Sequence, residues 1–109
     1  MMPMSQLAML CPEAEVAEGQ VRGEFLPNGT VIALYRAEGH LYATDDTCTH
    51  GAASLSEDGT LHGHEVECGW HNGRFDIRTG EACQSPCFVA LKTYPVKVVD
   101  GTVAVEYEE

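Results

Sequence analysis

The chain has 109 residues, 44% apolar and 21% charged, which is the profile of one ordinary globular domain and too short for two cores. Seventeen acidic residues against six basic ones give a formal charge of −11, a field that repels nucleic acid and anionic membrane surfaces. Such a surface either steers the chain toward partners with positive patches or only keeps it in solution, and charge alone does not choose between the two.

In chain order, Leu7–Cys11 is expected as a first edge strand, ended by Pro12. One helical turn over Glu13-Ala14-Glu15-Val16 follows and is stopped at Glu18-Gly19. Val21–Leu26 and Thr30–Arg36 flank Pro27-Asn28-Gly29, where Asn-Gly supplies the positive φ angles of a hairpin turn. Glu38-Gly39 leads into a further strand, His40–Thr44. Residues 45–86 read as an insertion rich in glycine, with short strands at Thr60–His62, Glu65–Glu67 and Arg74–Asp76. Beyond it, a strand over Val89–Val99 is interrupted at Pro95. Asp100-Gly101 then turns the chain into the last strand, Thr102–Tyr107, leaving Glu108-Glu109 as a frayed tail. Strand turnover every 8–12 residues is the spacing of a small sandwich or barrel.

No run approaches the roughly 18 apolar residues of a membrane span. Met1–Leu10 lacks a basic segment and is broken by Pro3, Ser5 and Gln6, so a cytoplasmic location is expected. Five cysteines cannot form a complete set of intramolecular disulfides, and clustered Cys and His in a reducing compartment point to metal instead. Cys48-Thr49-His50-Gly51 and Cys68-Gly69-Trp70-His71-Asn72-Gly73 each offer one thiolate and one imidazole, with 17 residues between His50 and Cys68. Two soft and two borderline donors on short loops suit either zinc or an iron–sulfur centre. Cys11, Cys83 and Cys87 lie outside these pairs and are expected as small buried apolar side chains.

Cys48-X-His50 and Cys68-X-X-His71, at this separation and with glycine-bearing loops, resemble the Rieske iron–sulfur family. Cys11-Pro12, Tyr42-Ala43-Thr44, Phe75-Asp76, Thr79-Gly80, Pro86 and Tyr94-Pro95-Val96 extend the similarity over almost the whole chain. They look like the small Rieske ferredoxins of bacterial aromatic-ring dioxygenase systems. The resemblance implies an all-β fold, an antiparallel β-sandwich over residues 1–109 with a cluster-binding subdomain inserted at about 45–86. It also implies one [2Fe–2S] cluster, with Cys48 and Cys68 on one iron and His50 and His71 on the other. Gly51, Trp70, Gly73 and Pro86 become the cluster surround or docking face, the Pro86 region forming a third loop over the cluster.

High-potential members carry an extra Cys in each loop and aim a Ser and a Tyr hydroxyl at the cluster. The matching positions here are Ala53 and Trp70 for the disulfide, and Gly73 and Phe75 for the hydroxyls. Fewer hydrogen bonds to cluster sulfur imply the lower part of the Rieske range, about −150 to +300 mV. His40, His62 and His64 match no motif position and are expected in solvated or capping roles. Arg74 and Arg78 are expected to pair with acids such as Asp76, or to mark a docking spot.

The implied role is a monomeric one-electron carrier between a flavoprotein reductase and a terminal Rieske oxygenase, not an enzyme in its own right. Rieske oxygenases need a separate mononuclear iron and a catalytic domain, for which this chain has no room. The alternatives are the small Rieske subunit of another reductase and a zinc-binding or redox-sensing interaction module.

Overall fold

Strand β3 (Val31–Ala37) is buried along both faces and divides the molecule. Side chains alternate across an extended strand. Ile32 and Leu34 therefore enter one core, while Ala33, Tyr35 and Ala37 enter a second. The computed structural model describes residues 5–49, 53–69, 73–84 and 89–108.

Among the described residues, three antiparallel sheets build these two cores. β1 (Ser5–Pro12), β11 (Thr102–Glu108) and β10 (Val96–Val99) form the first, in the order β1-β11-β10. β2 (Val21–Phe25), β3, β4 (His40–Asp45) and β9 (Thr93–Tyr94) form the second in that order. These two sheets enclose the sandwich core, where Ile32 and Leu34 meet Val103, Val105 and Tyr107. The third sheet comprises β5 (Thr60–His62), β6 (Glu65–Glu67), β7 (Arg74–Asp76) and β8 (Ala82–Gln84). Val66, Phe75 and Ile77, from the third sheet and the turn after β7, share the second core with Tyr35 and Ala37.

Helix α1 (Leu55–Asp58) packs on β2 and was not expected. Gly23 permits that contact, because a Cβ there would lie 2.6 Å from Ser56 Oγ. Between β1 and β2, one turn of 3-10 helix (Glu13–Glu15) is held by Arg36, whose guanidinium donates to the Val16 and Glu13 carbonyls.

Several expectations need correction. Only Gly29 of the Asn28-Gly29 pair has positive φ; the Asn28 side-chain oxygen instead accepts from the Thr30 N–H. Among the described residues, Glu38-Gly39 and Asp100-Gly101 are the turns with two consecutive positive φ values. Residues 89–92 are not strand: the Leu91 N–H donates to the Gly80 carbonyl, tying this segment to the turn after β7. Glu108 is not frayed but pairs with Ser5 in the β1–β11 ladder. Cys11 is buried as expected, whereas Cys83 on β8 is exposed.

Candidate metal centre

The two motif loops are built to one plan. Thr47 and Ser54 form an antiparallel bridge, and the Cys48 N–H closes the loop between them by donating to the Ala53 carbonyl at 2.9 Å. Glu67 and Arg74 pair in the β6–β7 ladder, and the Cys68 N–H donates to the Gly73 carbonyl at 2.7 Å. Each loop thus opens with a cysteine and returns after five positions, at residues 48–53 and 68–73. Both cysteine side chains are buried in the second core, together with Ala53, Leu55 and Phe75. His50, Gly51, Trp70, His71 and Pro86 lie outside the described residues, as does Cys87.

The supports beneath the loops differ. Under the first, Asp46 is 4% exposed and accepts from the Ser54 hydroxyl at 2.6 Å and the Ser56 N–H at 2.7 Å. Its own carbonyl accepts from the Leu55 N–H, so α1 is folded back over the approach to Cys48. Neighbouring Asp45 takes a hydrogen bond from the Tyr94 hydroxyl and ties this approach to β9. Burial, and then that bond, push the Tyr94 hydroxyl pKa up. Below lies Tyr35, fully buried, with its hydroxyl 2.8 Å from Thr44 Oγ1. The Thr49 hydroxyl donates to the Val89 carbonyl at 2.6 Å, joining the first loop to the segment that follows residue 88.

Beneath the second loop the supports are cross-strand charges and a close approach. Arg74 reaches Glu67 at 3.3 Å and Glu65 at 3.6 Å, and His62 reaches Glu67 at 2.9 Å. Gly69 sits against the end of α1, where an added Cβ would run into the Asp58 carbonyl oxygen. Arg78 hydrogen-bonds Asp76 and holds its carboxyl below the usual range. Partial desolvation, followed by Glu65 and Asp76, pushes the Cys83 thiol pKa up. His40 is exposed, and His64 stands edge-on to Tyr42 at 6.0 Å. Gly73 and Phe75 are both buried, and neither brings a hydroxyl to the core around the thiols.

Two buried thiols on matched loops fit the two-sulfur side of a metal centre. Residues 6–95 match the Rieske [2Fe-2S] domain.

This chain belongs to the Rieske [2Fe–2S] domain family.

The chain is 52% identical over 103 residues to the ferredoxin component of the p-cumate 2,3-dioxygenase system of Pseudomonas putida, covering 94% of this chain and 87% of that one. Among solved structures, the Sphingomonas yanoikuyae B1 ferredoxin superposes with a TM-score of 0.88 at 37% identity, covering 94% of this chain and 99% of that one. A chain in the complex of reduced oxygenase and oxidized ferredoxin in carbazole 1,9a-dioxygenase superposes at 0.85 with 41% identity, covering 91% of each. The Rieske assignment brings one [2Fe–2S] cluster as the cofactor and removes zinc as the reading of the motif. The all-β sandwich with an inserted small sheet is likewise the Rieske architecture.

Asp46 and the serines that hold it escaped the sequence reading. Ser54-Leu55-Ser56-Glu57 carries a capping-box pattern that would have marked α1, and Ser54 Oγ accepts from the Glu57 N–H. No sequence signal pointed to the burial of Asp46.

Proposed function

We propose that this chain is the one-electron ferredoxin of a multicomponent aromatic-ring dioxygenase, with Cys48, His50, Cys68 and His71 as the cluster ligands. The reading is carried by the 52% identity, over 94% of the chain, to a dioxygenase ferredoxin component, together with the two matched thiol loops. When bound, such a cluster stores one electron reversibly. The unit over residues 45–86 holds it, through loops closed at Cys48 and Cys68.

The thiols are buried in an apolar core, which keeps water from the sulfur side. Gly51, Trp70, Gly73 and Pro86 make the cluster surround or docking face, the buried Gly73 belonging to the surround. The chain receives an electron from a flavoprotein reductase and delivers it to a terminal Rieske oxygenase. The second step is supported by the carbazole 1,9a-dioxygenase complex that contains a ferredoxin of this fold. Encounters of this kind are small and transient, and an acidic surface makes their rate fall with salt.

The chain is a carrier and not itself an enzyme. Its histidines outside the loops are spoken for or dispersed: His62 pairs with Glu67, His64 packs on Tyr42 and His40 lies open to solvent. It works as a cytoplasmic monomer; no helix among the described residues is long and apolar enough to cross a membrane. Its midpoint potential lies below zero, because Gly73 and Phe75 offer no hydroxyl to the cluster. Phe75→Tyr raises that potential, and redox titration of both proteins checks the direction.

Absorption and electron paramagnetic resonance spectra of the purified protein test the ligand set; a colourless protein with stoichiometric zinc overturns it. Reconstitution with a flavoprotein reductase and terminal oxygenase from the same gene neighbourhood tests the role. A loaded chain that fails to support NAD(P)H-dependent oxygenation overturns the dioxygenase assignment and leaves the cluster standing.

A further inference from the structure

We propose that Asp46 is a potential-setting residue: a buried carboxylate beneath the first loop whose fixed negative charge disfavours the reduced state of the centre held by that loop. Asp46 is the one buried carboxylate among the described residues. Its oxygens take two short hydrogen bonds, from Ser54 Oγ and the Ser56 N–H, which fix its position. Neither donor carries a charge, so the bonds satisfy the carboxylate without neutralising it.

The bases are committed elsewhere. Arg22, Arg36, Arg74, Arg78 and Lys97 each pair with other carboxylates, and Lys92 stands 5.2 Å over the Tyr94 ring. Among the described residues, no cation pairs with Asp46. Two peptide units separate Asp46 from Cys48, which limits their Cα atoms to about 7 Å. The two residues that hold Asp46, Ser54 and Ser56, flank Leu55, which is buried in the same core as both cysteines. Burial raises the Tyr35 hydroxyl pKa most, the Thr44 hydrogen bond opposes it, and Asp46 adds a smaller upward push. An electron added near Cys48 and Cys68 meets the same repulsion. At this depth the interaction escapes the screening that weakens the surface acids.

The competing role is purely structural, with Asp46 only securing α1 and the loop. Asp46→Asn separates the two, since the amide retains an oxygen for the Ser56 N–H while losing the charge. The inference rests on the cluster assignment above: a chain without a Rieske spectrum fails that assignment, whereas a loaded chain with an unmoved potential fails this one.

In redox titrations of the cluster-loaded protein, Asp46→Asn is expected to raise the midpoint potential by about tenfold in the reduction equilibrium, equivalent to about 59 mV for one electron. The difference from wild type persists at high salt. Ser54→Ala removes a hydroxyl that disperses the charge, so it lowers the potential slightly; this chain decides alone if Asp46→Asn does not load. An unmoved potential in Asp46→Asn, a difference abolished by salt, or an unchanged or raised potential in Ser54→Ala overturns the proposal.

Discussion

On one face of β3, Ile32 and Leu34 pack against Val103, Val105 and Tyr107, which belong to a ladder of seven- and eight-residue strands. On the other face, Tyr35 and Ala37 pack against Leu55, Val66, Phe75 and Ile77, drawn from three-residue strands, one turn of helix and a turn. Long ladders with aliphatic side chains between them are stable in their own right, whereas strands of three residues hold few ladder bonds. The second core therefore depends on specific closures: the cysteine N–H bonds, the buried Asp46 clamp, the Gly69 approach and the bound cluster itself. One strand thus carries a general-purpose core on one side and a ligand-dependent core on the other.

The contrast can be broken most directly at Cys68, whose side chain is fully buried in the ligand-dependent core. Cys68→Ser is expected to abolish the visible Rieske spectrum while far-ultraviolet circular dichroism retains the β signal of the sandwich. Loss of all β structure would show that the two cores are not separable.

Next in size, Ile32→Ala empties a fully buried site in the sandwich and should cost about 2–5 kcal/mol in urea unfolding. The midpoint potential should not move, because Ile32 faces away from the cysteines. A shifted potential would mean that the sandwich core sets the cluster environment after all.

Gly69→Ala is expected to cost about 1–3 kcal/mol by pushing the second loop off Asp58. Its signature is local: faster loss of absorbance in the presence of an iron chelator, with the sandwich transition unchanged. A wild-type rate of bleaching would remove the close approach from the list of closures.

The smallest effect concerns Arg78 and Asp76 on the exposed edge of the second core. The folded-state pKa of Asp76 is depressed by Arg78, so the pair stabilises the fold above the unfolded carboxyl value of about 3.9. That contribution is lost as pH falls through the depressed pKa. Arg78→Ala should therefore be slightly less stable than wild type at neutral pH, and the two should converge in acid. Thermal melts across that range check it, and a gap that widens in acid contradicts the assignment.

The small strands at 60–62, 65–67 and 74–76 were legible because alternation and flanking glycines mark them even at three residues. β8 was not, since Ala82-Cys83-Gln84 has neither alternation nor a β-branched residue and is set by pairing with β7. Val89–Lys92 has the composition of a strand, but Val89 is 64% exposed and the segment is fixed by the Leu91–Gly80 bond. At the site, the spacing of Cys48 and Cys68 made two matched loops legible, while His50 and His71 lie outside the described residues. What supports those loops was not legible. Asp45 and Asp46 look alike as letters, yet one bonds Tyr94, 49 positions away, and the other disappears beneath Ser54 and Ser56. Such differences arise only when distant segments meet, which no local pattern encodes.

The β1–β11 ladder, running from Ser5↔Glu108 to Pro12↔Thr102, also has a kinetic side. Its partners are among the most distant in sequence, so the chain must lose most of its loop-closure entropy before this pairing returns any free energy. The β5–β6 and β6–β7 hairpins close over a few residues each and carry no such delay. During synthesis the sandwich can be sealed only when β11 emerges from the ribosome, after every residue of both cysteine loops has already been made.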